Sequence, residues 1–105
     1  MIHYTDKSGY NMIKSQIIWF FKAAQPRAKH NPVGAYFTKY QPEEPDLAAK
    51  IRVSRDKLKF MFEFKDIGDL ISLPGGRGKY DRLFYSRFNY SVEPERQIKS
   101  GETGL

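Results

Sequence analysis

The clearest strand pattern in this chain is Lys57-Leu58-Lys59-Phe60-Met61-Phe62-Glu63-Phe64-Lys65. Apolar residues occupy every second position from 58 to 64, and Lys59, Met61, Glu63 and Lys65 alternate with them. Successive side chains of a strand point to opposite faces, so one face is predicted to pack on a core and the other to be mostly exposed to solvent. A half-buried strand of this kind is typical of an antiparallel sheet.

Further short segments of strand character lie on either side of this stretch. The run Ile17–Phe21 is the most hydrophobic of the chain, and its bulky residues predict a buried strand or a packed turn. The other predicted strands are Ile2–Tyr4, Gly34–Thr38, a segment near Arg82–Tyr85, and Arg87–Val92.

Two short helices complete the predicted architecture. The first is Lys7–Ser15, capped by Thr5 or Asp6, and the second is Leu47–Arg52, capped by Asp46. We therefore predict one α+β domain over residues 1–105, with a mainly antiparallel sheet split into two packed small sheets and with one or two helices. Residues from about 99 to 105 are predicted to form a frayed tail.

Composition narrows the range of functions. The chain of 105 residues has no cysteine, which excludes a disulfide framework, a thiol nucleophile and the usual structural zinc sites. Its formal net charge of +6 predicts either a plain basic surface or attraction to phosphates, acidic proteins or anionic lipids. No apolar run approaches the roughly 20 residues of a membrane span, and the N-terminus lacks a signal-peptide layout. We expect a cytoplasmic protein, or a secreted effector or toxin delivered without an encoded signal peptide.

Several common kinds of catalytic site are not predicted. The two histidines, His3 and His30, lie on different predicted elements without i,i+4 spacing, so no metal site is expected. No GxSxG nucleophile elbow occurs, and the glycine-rich loop Pro74–Gly78 lacks the spacing of a P-loop.

Two short motifs carry the functional prediction. His3-Tyr4-Thr5 precedes the first helix, and Gly34-Ala35-Tyr36-Phe37-Thr38 forms a later strand. Together they suggest a cleft in which a histidine and a tyrosine on neighbouring strands bind one small ligand. The alternative is a hydrogen-bonded strand histidine and a tyrosine ring in the core.

In this order, the two motifs resemble those of the ADP-ribosyltransferases. The resemblance is strongest to the small branch with an H-Y-[E/D/Q] signature, the HYD1-type toxin domains related to diphtheria toxin and the poly-ADP-ribose polymerases. It rests on motifs between residues 3 and 38 and, beyond them, only on the strand pattern. It implies an NAD⁺-dependent mono-ADP-ribosyltransferase that cleaves the nicotinamide–ribose bond and transfers ADP-ribose to a macromolecule, or to water when no acceptor is present.

The resemblance also implies roles for the motif residues toward NAD⁺, the substrate. His3 would hydrogen-bond a ribose hydroxyl, and the backbone of Tyr4 would hold the nicotinamide carboxamide, with Thr5 completing the motif. Tyr36 would lie against the nicotinamide ring, and Gly34 would let the backbone approach the ligand.

Lysines and arginines of the next loop are candidates for the phosphates. Lys22, Arg27 and Lys29 could contact the pyrophosphate of NAD⁺. The net charge makes a nucleic acid or an acidic protein the expected acceptor. The toxin resemblance adds an immunity protein as a further candidate partner.

The third residue of the signature is the open question. The family uses an acidic or amide side chain that stabilises the positive transition state. Glu93 is the first candidate, Asn89 the second and Glu95 the third, and a site built on Asn89 would be slow, altered or inactive. Diphtheria-type relatives also carry a second stacking tyrosine where this chain has no ring, and Tyr40 is the nearest candidate to replace it.

Two functions of other classes remain open. A small basic nucleic-acid-binding module predicts an exposed aromatic sheet face and salt-sensitive affinity. A catalytically inactive, transferase-like domain that binds a partner through Ile17–Phe21 predicts the same His3/Tyr36 cleft without a carboxylate facing it.

Overall fold

The computed structural model describes residues 1–26, 31–73 and 83–105. Within these ranges the chain forms eight strands, two α-helices and two short 3₁₀ turns, the turns being Arg55–Leu58 and Pro94–Arg96. In chain order the strands and helices are β1 (Ile2–Thr5), α1 (Lys7–Lys14), β2 (Trp19–Phe21), β3 (Ala35–Thr38), α2 (Leu47–Ile51), β4 (Phe60–Phe64), β5 (Ile71–Ser72), β6 (Leu83–Ser86), β7 (Tyr90–Val92) and β8 (Gln97–Glu102). Neither helix has the length and apolar character needed to cross a bilayer.

The strands form two antiparallel sheets. The larger sheet has six strands in the order β5-β6-β3-β1-β4-β8, and the smaller one pairs β2 with β7. All recorded strand pairs are antiparallel. The prediction of an α+β fold with mainly antiparallel strands in two sheets and two helices is thereby confirmed.

An aromatic core joins the two sheets. The smaller sheet contributes buried side chains from both strands, and the larger sheet contributes the facing side chains of β3 and β4. Phe62 and Phe64 are fully buried, as the alternation in β4 predicted. The buried members of this cluster are Trp19, Phe21, Ala35, Phe37, Phe62, Phe64, Tyr90 and Val92.

The opposite face of β4 is less exposed to solvent than predicted. Lys59 and Lys65 are exposed, but Met61 is buried in a second cluster that includes Leu47 of α2 and Leu58 of the 3₁₀ turn. The strand also begins only at Phe60, because Leu58 belongs to that turn. The central strands therefore carry apolar layers on both faces.

Helix α1 follows its sequence signals closely. Asp6 is the N-cap residue, and its Oδ1 accepts a hydrogen bond of 2.8 Å from the Gly9 N–H. Tyr10 and Ile13 pack against the aromatic core. Ile17, by contrast, is 82% exposed, so the apolar run becomes buried strand only from Trp19 onward.

At element ends, one prediction is confirmed only in part and another was wrong. Asp46 is the N-cap residue of α2 as predicted, but its backbone is left-handed with φ 54° and its side chain makes no capping hydrogen bond. The predicted frayed tail is ordered in part: residues 99–102 belong to β8, which pairs with β4 from Phe64↔Gln97 to Phe60↔Glu102. Strand β4 is apolar and pairs with β1 on one side only. Pairing of β8 with its other edge satisfies backbone groups that would otherwise be unpaired.

Candidate functional site

A cleft of about 430 Å³ lies where β1 and β3 separate. Strand β1 pairs with β4 at four positions but with β3 only at Ile2↔Thr38. Beyond that pair, the predicted residues His3, Tyr4, Gly34 and Tyr36 all line the cleft. The other polar and charged residues of the described lining are Lys22, Gln25, Asn31, Thr38, Arg52, Ser54 and Lys57.

His3 links the two strands after their backbone pairing has ended. Its Nδ1 lies 3.0 Å from the carbonyl oxygen of Tyr36. A carbonyl oxygen only accepts, so Nδ1 carries the proton and donates it. The rings of Phe21 and Phe37 hold the imidazole, with centroids 4.7 and 5.7 Å away.

The environment of His3 favours the neutral imidazole. Burial lowers the pKa of His3 below its ordinary 6.5, while the hydrogen bond to the Tyr36 carbonyl acts in the opposite direction. In the neutral form with Nδ1 protonated, Nε2 presents a lone pair. Within the described part of the chain, no hydrogen bond reaches Nε2, so the cleft contains an acceptor suited to a hydroxyl group.

Tyr36 forms an aromatic wall of the cleft. It is half-buried, and one face stacks on Tyr85 with centroids 5.6 Å apart and an interplanar angle of 19°. Its hydroxyl donates to the carbonyl of Pro32. Burial, followed by the neighbouring Tyr85, raises the pKa of Tyr36, so this hydroxyl stays protonated near neutral pH.

Gly34 has a structural reason to be glycine. Its backbone is not in the left-handed region, but a Cβ would lie 2.5 Å from the Ser86 carbonyl oxygen and 3.2 Å from a ring carbon of Tyr85. Gly34 also exchanges two backbone hydrogen bonds with Ala24, of 3.0 and 3.1 Å. The close neighbour is therefore strand β6, whereas the sequence suggested close approach to a ligand.

The remaining tyrosines and Thr5 contribute mainly to packing. Tyr4 lines the cleft, but its hydroxyl is buried and donates to the carbonyl of Tyr40 at 2.8 Å. Burial raises the pKa of Tyr4. Thr5 is buried and does not line the cleft, and the ring of Tyr40 belongs to the second core cluster. Tyr40 is thus not positioned as a second stacking ring.

The candidates for the third signature residue lie away from the cleft. Strand β7 buries Tyr90 and Val92, so the face predicted for Asn89 and Glu93 is turned to solvent. Asn89 is exposed, and its Oδ1 accepts a hydrogen bond of 2.8 Å from the Ala23 N–H. Glu93 has a side chain 54% exposed, 4.0 Å from Arg96, and Glu95 is also exposed. None of the three lines the cleft.

The charges that do line the cleft are positive. Lys22 is there as predicted, whereas Arg27 and Lys29 lie outside the described residues. Arg52 and Lys57 were not anticipated, because they follow α2 in sequence and reach the cleft only through the fold. Among the described lining residues none is acidic.

Metal binding finds no support in the part of the chain that the structure describes. No group of three or more His, Asp or Glu side chains there could hold an ion.

Comparisons of the chain with protein-family models, with curated proteins and with solved structures return no match.

Proposed function

We propose that the cleft binds NAD⁺ and that the domain is an ADP-ribosyltransferase. The observation that carries the proposal is the His3 ring, whose Nδ1 lies 3.0 Å from the Tyr36 carbonyl oxygen where β1 and β3 separate, in a cleft that Tyr36 also lines. A hydroxyl-rich ligand with one flat aromatic end suits this pair of groups. A cleft of about 430 Å³ falls within the range of small-molecule sites.

The proposed chemistry uses His3 and Tyr36 to position the nicotinamide riboside half. Nε2 of His3 accepts a hydrogen bond from a ribose hydroxyl, and Tyr36 limits the movement of the nicotinamide ring. The carbon–nitrogen bond then breaks, nicotinamide departs with the bonding electron pair, and the ribose gains oxocarbenium character. A nucleophile of the acceptor attacks this carbon and loses its proton to solvent. Neutral His3 suits this step, since an imidazolium would repel the developing positive charge.

A second candidate function is favoured by the charges around the cleft. In the described lining no carboxylate faces His3, so the group that should stabilise the transition state is not supplied there. A transferase-like domain that binds NAD⁺ without cleaving it, and acts by binding a partner, predicts this arrangement. The nucleic-acid module is less well supported, because Phe88 is the sole strongly exposed aromatic side chain among the described residues.

The test is to measure NAD⁺ binding by calorimetry and nicotinamide release by chromatography on the same preparations. Wild type should bind NAD⁺ and release nicotinamide, and His3→Ala should weaken both. Glu93→Ala is the matched control, since that side chain is exposed and outside the cleft, and it should behave like wild type.

Each outcome decides between the candidates. Binding without nicotinamide release, with any acceptor offered, selects the non-catalytic domain. Absence of NAD⁺ binding rejects both proposals. Loss of release in Glu93→Ala with binding retained would return that carboxylate to the site and contradict its placement outside the cleft.

A further inference from the structure

Strand β8 forms an unprotected edge of the larger sheet. It is the outermost strand and has six residues, whereas β5 at the opposite edge has two. Natural sheets protect such an edge with proline, with charged side chains or with a bulge. Gln97–Glu102 contains no proline, and the one register shift against β4 lies before Lys99. From Lys99 onward the edge is therefore regular.

The hydrogen bonds to β4 show which backbone groups of β8 point inward. The N–H of Thr103 donates to the carbonyl of Lys59 at 3.0 Å, so these two residues form a hydrogen-bonded pair. Bonded and non-bonded pairs alternate along an antiparallel ladder. In the register of β4 and β8, the next bonded pairs are those of Gly101 and Lys99.

Ser100 and Glu102 consequently direct their backbone N–H and carbonyl groups away from β4. The other side of β4 gives the same alternation, since Phe64 and Met1 exchange two bonds of 2.9 Å beside β1. Phe62, the partner of Ser100, therefore bonds β1 and not β8. Within the described residues, no hydrogen bond from another element reaches the outward groups of Ser100 and Glu102.

We infer that β8 is a self-association surface, on which β8 of a second copy of this chain pairs antiparallel about a two-fold axis at Gly101. In this register Ser100 of each copy lies opposite Glu102 of the other, and the two pairs exchange four backbone hydrogen bonds. Gly101 meets its symmetry mate at the axis, where the Cα atoms approach to about 4.5 Å and side chains would be closest. No described residue of β8 lines the cleft, so the inference does not depend on the proposed function.

The side chains and charges of β8 favour a second copy as the occupant. On one face the hydroxyl of Ser100 lies opposite the carboxylate of Glu102 of the second copy, and this pair occurs twice. On the other face Lys99, which is already paired with Glu63 at 3.8 Å, lies opposite Thr103. Residues 97–105 contain one lysine and one glutamate, whose charges cancel, although the whole chain has a net charge of +6. Two copies can therefore meet at β8 without the repulsion that the rest of the surface would cause.

The first experiment is sedimentation velocity from about 10 µM to about 1 mM, because two paired strands bury less than the roughly 1,200 Å² of a standard interface and form a weak dimer. Wild type should change from monomer to dimer over this range. Ser100→Pro removes an outward N–H but no bond to β4, and should stay monomeric without unfolding, since proline is accepted at a sheet edge. Ser100→Ala is the matched control, because it keeps the N–H; it should still dimerise, with affinity lower by at most about tenfold.

Hydrogen–deuterium exchange then locates the interface. The amides of Lys99 and Gly101 should be protected at every concentration, whereas those of Ser100 and Glu102 should become protected only as the dimer forms. Glu102→Lys leaves every backbone hydrogen bond in place and gives β8 a net positive charge. It should weaken dimerisation, and added salt should restore it.

Several results would overturn the inference. Wild type that stays monomeric throughout the range does so, as does a folded Ser100→Pro that dimerises with wild-type affinity. A dimer in which the Ser100 and Glu102 amides remain unprotected uses another surface. Protection of these amides at every concentration would show that a segment of the same chain covers the edge. If Ser100→Pro fails to fold, Glu102→Lys decides: weaker dimerisation at low salt supports the inference, and unchanged dimerisation overturns it.

Discussion

Replacing Gly34 by alanine tests why a glycine precedes β3. The added Cβ would lie 2.5 Å from the Ser86 carbonyl oxygen, and ordinary contact begins at about 3.4 Å. The obstacle is backbone within the β3–β6 ladder, not a side chain that can rotate away. Either the two strands move apart by about 0.9 Å, or Gly34 leaves its position and gives up its two hydrogen bonds to Ala24.

The size of the effect follows from these two routes. Overpacking of this degree costs about 1–3 kcal/mol. Losing the two hydrogen bonds between Gly34 and Ala24 costs about 0.5–1.5 kcal/mol for each bond, which is about 1–3 kcal/mol for both. By either route we expect the free energy of unfolding to fall by about 1–3 kcal/mol and, for a domain of this size, the Tm to fall by about 4–24 °C.

The assay is urea and thermal unfolding followed by circular dichroism, with NAD⁺ binding measured on whatever remains folded. Gly68→Ala is the control, because its Cβ meets nothing within 4 Å although its φ is +77°. That variant should lose only about 1 kcal/mol, the cost of the left-handed backbone. A Gly34→Ala protein as stable as wild type refutes the argument. If it is also unable to bind NAD⁺, close approach to the ligand becomes the reason for the glycine.

Three further predictions concern the site and its support. Burial lowers the pKa of His3 in the folded protein, so as the pH falls below 6.5 the imidazole is protonated in the unfolded chain before it is protonated in the folded one. The free energy of unfolding should therefore decrease toward acid pH. In urea unfolding measured at a series of pH values, His3→Gln should reduce this decrease of the midpoint below pH 6.5. Asp6→Ala should lower stability by about 1 kcal/mol, since it removes the α1 cap and the partner of Lys57, and an unchanged urea midpoint would contradict that account. Phe62→Ala should cost about 3–5 kcal/mol in urea unfolding, whereas Ile17→Ser, at an 82% exposed position, should cost almost nothing; similar values for both would contradict the placement of the core.

Local patterns predicted most of the secondary structure. Helix α1 was predicted to within one residue at its C-terminus, because Asp6 caps it and apolar residues recur on one side. Strand β8 was not predicted, because apolar and polar residues do not alternate in Gln97–Glu102. Its one large hydrophobic residue, Ile98, is exposed. Its strand conformation depends on pairing with β4, a long-range interaction that no local window contains.

The candidate site also combines features that the sequence predicted with features that it did not. The order of motifs predicted that His3 and Tyr36 would lie together, and a 3.0 Å hydrogen bond now joins the His3 ring to the Tyr36 backbone. The same alternation rule placed Asn89 and Glu93 on one face of a strand. Alternation along a single strand does not show which strand it will pair with. The rule therefore could not predict that β7 pairs with β2 and that the face with Asn89 and Glu93 is exposed to solvent.

By itself, the sequence determined the short-range features of this protein: the caps, the periodicity of β4, and the pairing of a histidine motif with a tyrosine motif. The tertiary structure decided which charges surround the cleft. Lys22 and Arg52 come from elements distant in sequence, and the described lining lacks the expected carboxylate. The physical reason is that electrostatic environment depends on distance in space, and that distance is set by strand pairing and packing between residues far apart along the chain.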